Sequence, residues 1–153
     1  MRRRMRAWRC TRARRTDDGA AAVEFGLILV PLLVLVFGVI SYGYMLSFRQ
    51  AMSQGASEGA RAAAVWASAY DSTQDAARIA AARVRVDEAL ASYGVACGSG
   101  ATCTITINPC VGGSGRCVSV RVSYPYAADP LTPDPYFVPL PDNLVYEAES
   151  RVS

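Results

Sequence analysis

The sequence predicts an α+β protein with a long N-terminal transmembrane helix that continues beyond the membrane, a second amphipathic helix, and a small disulfide-stapled antiparallel sheet. Three observations predict this class. Glu24 is the only formally charged residue between Ala20 and Phe48. Apolar residues recur with a helical period within residues 75–93, and two segments beyond residue 100 alternate polar and apolar side chains. A chain of 153 residues fits one domain with an appendage.

The charges divide the chain at Gly19. Residues 1–19 carry eight Arg against Asp17 and Asp18, a net charge of +6, whereas residues 20–153 carry eight Arg against 11 acidic residues, a net charge of −3. The folded part therefore has no basic surplus, and we expect no nucleic-acid partner. An Arg-rich end that precedes a membrane span stays in the cytoplasm. The sequence thus predicts a cytoplasmic leader over residues 1–19.

Residues 20–48 are predicted to cross the lipid bilayer once. As a helix these 29 residues extend about 43 Å, more than the ~30 Å hydrocarbon core. Pro31 lies inside this run, and transmembrane helices tolerate proline. Tyr42, Tyr44 and Phe48 are expected in the outer aromatic belt. A cleaved secretory signal is the alternative, but such signals have an apolar core of only about 7–15 residues.

The helix is predicted to continue over residues 49–69. Small residues recur at four-residue spacing in two rows, which would let another helix approach closely. The alternative is Ala-rich helix propensity without a partner helix. The first row consists of Ala51, Gly55, Gly59 and Ala63, and the second of Ala56, Ala60 and Ala64.

Residues 70–94 are predicted to hold a chain break followed by the second helix. Ser72 and Asp75 resemble a capping box, and Gly94 suits the position just after the helix. Ile79, Ala82, Val86 and Leu90 form the predicted apolar stripe. The charged side chains are expected on the solvated side, and they are Arg78, Arg83, Arg85, Asp87 and Glu88.

Residues 95–153 are predicted to form a small extracytoplasmic β domain. Alternation over residues 103–107 and 117–124 predicts a hairpin whose loop is rich in turn residues. Residues 144–152 alternate loosely and are expected to return as a third strand. Six of the eight prolines lie within residues 124–143, so this segment is expected to be an irregular surface loop.

Four clustered cysteines outside the membrane predict two disulfides in an oxidising compartment. Pairing of Cys110 with Cys117 would close the hairpin loop, and Cys97 with Cys103 would close the preceding loop. Three connectivities are possible for four cysteines. A zinc site is the alternative, but the spacings of five, six and six intervening residues differ from the tight pairs that zinc sites favour.

The composition argues against an enzyme. The chain has no His and no Lys, which removes the commonest general base and the usual amine nucleophile. Asp129, Asp134 and Asp142 lie in the Pro-rich segment, where acids are usually solvated turn formers. Their spacing does not match an EF-hand. We expect no catalytic residue, no cofactor and no bound metal.

A carboxylate such as Glu24 costs free energy in an apolar span, so its presence there indicates a function. If a protease cuts after Gly19, Ala20 carries a new α-amine about one helical turn from the Glu24 carboxylate. In an assembly of subunits, Glu24 of one copy could neutralise the N-terminus of its neighbour, which would reward correct register. An ion of this kind near the edge of a span can also reach water by snorkelling, so an incidental Glu24 is the alternative.

Gly19, Ala20, Glu24 and Phe25 followed by a long apolar helix resemble a type IV prepilin cleavage motif. The Glu-Phe pair followed by residues 27–31 resembles the TadE-like pseudopilins of tight-adherence (Flp, type IVb) pili. Residues 55–64 also resemble the Ala/Gly-Arg segment of that family. The resemblance is specific over residues 19–64 and looser over residues 97–153, and it implies a pilin-like fold.

The resemblance implies that prepilin peptidase cuts between Gly19 and Ala20, with Glu24 and Phe25 as recognition and assembly residues. It implies a minor pilin or assembly factor in pilus biogenesis, adhesion or secretion, since the roughly one hundred residues beyond the span distinguish this chain from the very short major pilins. The implied partners are the major pilin, other pseudopilins and the inner-membrane pilus assembly platform. The alternative function is a single-pass, membrane-anchored extracytoplasmic binding or sensor module.

Overall fold

A computed structural model describes residues 17–66, 71–132 and 141–152. Helix α1 comprises Asp17–Ala64 and helix α2 comprises Asp75–Leu90. Four strands follow: β1 (Ala96–Cys97), β2 (Gly100–Pro109), β3 (Arg116–Tyr124) and β4 (Leu144–Arg151). The predicted α+β class is confirmed. The chain divides into two compact units, residues 1–36 and residues 37–153.

The sheet is mixed, in the order β1-β2-β3-β4. The predicted hairpin is confirmed, because β2 and β3 pair antiparallel and β4 adds antiparallel to β3. The sequence did not predict β1, which pairs parallel to β2 over only two residues. Gly98 and Gly100, each with a φ of +87°, allow the sharp reversal that brings residues 96–97 beside residues 100–101.

One face of the sheet forms the core of the second unit. Val118, Val120 and Val122 of β3 are fully buried, whereas Arg121 between them is exposed. In the central register, Val120 lies opposite Ile105 of β2 and Ala148 of β4. The observed period of two follows from the alternation of Cβ directions along a strand, as the sequence predicted.

Helix α1 contributes Met45, Phe48 and Met52 to this core. The expectation that Phe48 belongs to an aromatic belt is wrong, since its side chain is fully buried. Its ring lies 4.9 Å from the Tyr124 ring and 5.0 Å from the Tyr93 ring, centroid to centroid. The domain core therefore begins earlier along α1 than the hydropathy of the chain suggested.

The two helices pack through the predicted rows of small residues. A Cβ placed on Gly55 would lie 3.1 Å from the Ala89 Cβ, and one on Gly59 would lie 3.1 Å from the Ala82 carbonyl oxygen. The first row therefore serves close packing, and the partner is α2 of the same chain. The sequence predicts helix to about Ala69, whereas α1 ends at Ala64; residues 67–70 lie outside the described residues.

The buried stripe of α2 differs from the prediction at one position. Ala82, Val86 and Leu90 are buried as predicted, but Arg78 completes the stripe and Ile79 is partly exposed. Arg78 has no exposed surface and donates from Nη1 to the Ala63 carbonyl oxygen at 3.0 Å. The last carbonyls of a helix have no intrahelical donor. The Arg78 guanidinium of α2 supplies a hydrogen-bond donor to the end of α1, which the apolar Ile79 side chain could not do.

The capping box expected at Ser72 and Asp75 is wrong. Asp71 is the capping residue of a short 3₁₀ turn over residues 72–74, and its carboxylate accepts hydrogen bonds from the Thr73 N–H at 2.9 Å and the Thr73 hydroxyl at 2.5 Å. The hydrogen bond from the Thr73 hydroxyl, and next the one from the Thr73 N–H, lower the pKa of Asp71 below its usual value. Gly94 ends the helical region with the positive φ of +70° that the sequence predicted.

Both predicted disulfides are confirmed. Cys97 bonds to Cys103 with a Cα–Cα distance of 5.3 Å, and Cys110 bonds to Cys117 with a Cα–Cα distance of 4.9 Å. The zinc alternative is therefore wrong for these four residues. The Cys97 N–H also donates to the Asp87 carboxylate at 2.7 Å, which joins the first disulfide to α2.

Candidate processing and membrane-anchoring site

The four predicted junction residues all lie in the first turns of α1. Ala20 and Glu24 are four residues apart and therefore lie on one face of the helix, one turn above the other. Among the described residues, no atom outside the neighbouring helix backbone lies within 4 Å of a Cβ placed on Gly19. Glu24 is exposed, and Phe25 has 65% of its surface exposed. The junction is thus accessible within its own unit of the chain.

The N-terminal half of α1 presents apolar surface that suits lipid. Leu27 is 72% exposed and Val39 is 65% exposed, and the most apolar window of the helix has a mean hydropathy of 2.7 with none of it buried. Soluble monomers rarely expose so continuous an apolar surface. By length and composition α1 could span a membrane, and Pro31 lies inside the helix without ending it.

Within the part of the chain that the structure describes, no hydrogen bond or ion pair reaches the Glu24 carboxylate. A carboxylate at the centre of a bilayer costs roughly 2.5–3.5 kcal/mol on insertion scales. A second charge on the same helical face, one turn away at Ala20, would arise only by cleavage of the chain after Gly19. The geometry thus permits the neutralisation that the sequence suggested, but the described chain does not itself supply it.

A cluster of aromatic rings joins α1 to the β domain, and sequence reasoning missed it. Tyr93, Tyr124 and Tyr126 surround Phe48, and the Tyr93 hydroxyl and Ser47 Oγ share a hydrogen bond of 2.6 Å. The three tyrosines are between 45 and 78 positions away from Phe48 along the chain. The signal in the sequence was the position of these tyrosines, one just after α2 and two at or just after the end of β3.

Tyr124 is the most strongly perturbed titratable group among the described residues. Burial, followed by the proximity of Asp129, raises the pKa of Tyr124 to about 12. Its hydroxyl donates to the Asp129 backbone carbonyl at 2.8 Å, which only the protonated form can do. Burial also raises the pKa of Tyr126. Because both pKa values are raised in the folded protein, the protonated forms of Tyr124 and Tyr126 stabilise the folded state relative to the ionised forms.

We expect the free energy of unfolding to fall as the pH rises from 10 to 12. The unfolded pKa of Tyr124 is near 10.0 and the folded pKa is about 12, so its contribution is complete below pH 10 and is lost above it. Two pH units correspond to roughly 2–3 kcal/mol. Guanidinium unfolding at several pH values tests this expectation. Tyr124→Phe should flatten the decline, and parallel curves for the two proteins would contradict it.

The other candidate chemistries gain no support. Asp129 and Asp142 are held through their backbone carbonyls, which accept from Tyr124 and from the Ala127 N–H, and Asp134 lies outside the described residues. Ligand atoms of Cys110, Cys117 and Glu149 lie within 4.8 Å of one another, but both sulfurs are committed to a disulfide. A metal prefers the thiolate, which this bond removes.

The fold and the exposed helix define the class: a small α+β protein with one N-terminal helix that is able to anchor it in a membrane. Within that class, residues 19–61 are TadE-like, because the family model described as "TadE-like protein" matches them. The resemblance that the junction motif predicted is thereby confirmed for this segment. The match supports involvement in a tight-adherence pilus system, with protein partners from that system in general.

The family match begins at Gly19 and ends at Arg61, three residues before the end of α1. It therefore includes the junction, the apolar span and the small-residue rows as far as Ala60, and it leaves out α2 and the sheet. No curated protein and no solved structure matches the chain.

Proposed function

We propose that this protein is a minor pseudopilin or assembly factor of a tight-adherence type IVb pilus, matured by prepilin peptidase, and that it is not an enzyme. One observation carries the proposal: the TadE-like segment starts at Gly19, the residue after which the junction motif places the cut. A pilus component of this size contributes to biogenesis, adhesion or secretion through contacts with other subunits.

The proposed topology places residues 1–19 in the cytoplasm and the β domain on the opposite side of the membrane. The Arg-rich leader favours the cytoplasmic side. Two disulfides in the β domain favour an oxidising compartment. Because the cut site is then cytoplasmic, the protease must act on that face, as prepilin peptidase does and ordinary signal peptidase does not.

The proposed role of Glu24 depends on cleavage. The cut exposes the Ala20 amine on the same helical face as Glu24, and the Glu24 carboxylate of one subunit pairs with the Ala20 amine of its neighbour. A shifted subunit would leave both charges in hydrocarbon without a partner, and each would cost several kcal/mol. The proposed partners are the major pilin, other pseudopilins, the membrane assembly platform and the peptidase.

The first test is the N-terminus of the protein in membranes. Mass spectrometry of the membrane fraction is expected to show a chain that starts at Ala20 when prepilin peptidase is present, and a chain that retains its leader when the peptidase gene is deleted. Gly19→Leu should block the cut, whereas Gly43→Leu, a control glycine that also has open space around it, should not. A full-length chain in the presence of the peptidase would contradict the proposal.

The second test separates assembly from anchoring. Glu24→Ala is expected to leave membrane insertion intact and to lower recovery of the protein with other pilus components at least tenfold, because the pairing charge is lost. Glu149→Ala is the matched control, since Glu149 is an exposed carboxylate on the outer face of β4. Equal recovery of both variants would favour a membrane-anchored binding or sensor module, for which Glu24 is incidental.

A further inference from the structure

An open groove runs between α1 and α2 within the unit of residues 37–153, on a surface that neither the junction nor the sheet uses. Its volume is about 1050 Å³. Alanines of both helices line its floor, which allows a close approach by another helix. Val65, Trp66 and Val84 line the groove and are 66%, 42% and 52% exposed. Three large apolar side chains that share one groove mark an interaction surface.

Each rim of the groove carries one acid and one base. Glu58 and Arg61 stand on the α1 rim, with 4.0 Å between Glu58 Oε2 and Arg61 Nη1. Arg85 and Glu88 stand on the α2 rim, with 2.7 Å between Arg85 Nη1 and Glu88 Oε2. All four side chains are more than half exposed. They are therefore free to exchange these weak local pairs for others.

The packing of the helices sets one acid of the α1 rim level with one base of the α2 rim. Gly59 of α1 lies against Ala82 and Val86 of α2, and Gly55 lies against Ala89, so the helices run antiparallel. Glu58 precedes Gly59, and Arg85 lies between Ala82 and Val86. Glu58 on one rim is therefore about level with Arg85 on the other.

We propose that a second copy of this chain occupies the groove, in a parallel dimer whose twofold axis runs along the helices. Rotation about such an axis does not change the position of a residue along the helix direction. It sets the α1 rim of each copy against the α2 rim of the other. Glu58 of each copy then faces Arg85 of the other, twice in the dimer. The apolar side chains Val65, Trp66 and Val84 are covered in the same step.

The rim charges select this arrangement. A twofold axis across the helices would set α1 against α1 and α2 against α2, so Glu58 of one copy would not face Arg85 of the other. Confinement to a membrane also raises the effective concentration of the second copy. The dimer requires that both copies share one membrane, and it requires neither the peptidase cut nor entry into a filament, so its failure and that of the proposed function are distinguishable.

Energy transfer between full-length chains in lipid vesicles tests the dimer. Half of the chains carry a donor and half carry an acceptor fluorescent protein at the C-terminus, and lipid dilution separates association from random proximity. Glu58→Arg and Arg85→Glu are each expected to weaken self-association about tenfold or more, since each variant makes both cross-copy pairs repulsive. Arg83→Glu is the matched control on an exposed α2 position outside the groove, and it should behave as the wild type.

The decisive sample mixes the two disrupting variants. A Glu58→Arg donor chain and an Arg85→Glu acceptor chain form two complementary pairs with each other, so their association should return to near the wild-type level. This recovery also shows that both variants are folded. A monomeric wild type, which would leave the groove to a different subunit, would overturn the proposal. So would variants that match Arg83→Glu, or a mixture that does not recover.

Discussion

Gly59→Leu is expected to abolish the packing of α1 against α2 and to destabilise the domain by roughly 3 kcal/mol or more. A Cβ at this position already lies 3.1 Å from the Ala82 carbonyl oxygen and 3.1 Å from the Val86 Cγ2, so a leucine must push the helices apart. Overpacking commonly costs about 1–3 kcal/mol, and here the obstacle includes backbone. The gain in helix propensity, about 1 kcal/mol, is too small to offset it.

Guanidinium unfolding of the full chain in detergent micelles, followed by near-ultraviolet circular dichroism of the tyrosine cluster, measures this effect. Ser57→Leu is the control, since Ser57 is exposed two residues earlier on the same helix. Gly59→Ala should change the stability by less than about 1 kcal/mol, because a shift of a few tenths of an ångström is offset by the better propensity of alanine. Equal stability of Gly59→Leu and Ser57→Leu would show that the helices do not depend on this contact.

Arg78→Ala is expected to lower the free energy of unfolding by roughly 3–5 kcal/mol, the usual cost of removing one member of a buried charge cluster. The guanidinium is fully buried, donates to the Ala63 carbonyl and lies 4.0 Å from the Asp75 carboxylate, which also pairs with Arg116. Truncation leaves a cavity and removes the donor at the end of α1. Small domains have a total stability of about 5–15 kcal/mol, so this loss is large.

The same unfolding measurement applies, with Arg83→Ala as the control on the exposed side of α2. Arg78→Met separates volume from hydrogen bonding, because methionine fills much of the space without a donor. We expect Arg78→Met to lie between Arg78→Ala and the wild type. If Arg78→Ala is no less stable than Arg83→Ala, the buried guanidinium does not hold the two helices together.

The β domain was largely predictable because its signals are local. Alternation places Val118, Val120 and Val122 on one face whatever lies opposite, and the short separations between Cys97 and Cys103 and between Cys110 and Cys117 made their pairing the simplest choice. Strand β1 escaped notice since two residues carry no periodic signal. Its position depends on a turn with two positive φ values at Gly98 and Gly100.

The errors at Phe48 and Arg78 concern residues whose surroundings come from distant parts of the chain. Phe48 looked like the end of a membrane span because its sequence neighbours are apolar, but Tyr93 and Tyr124 reach it from other elements. Arg78 looked solvated because it is charged, yet the carbonyl end of α1 provides its acceptor. Neither contact leaves a trace in the local pattern.

By itself, the sequence determined the junction at Gly19, the apolar span that contains Glu24, the small-residue rows and the fold class, since these depend on charge, hydropathy and spacing along a short stretch of chain. Only the tertiary structure decided that α2 is the helix that fills the small-residue row, that Arg78 rather than Ile79 is buried, and that a charged and apolar groove remains open beside them. The reason is physical: a helix offers several rows of side chains, and the row that leaves water depends on the surface that folding brings against it.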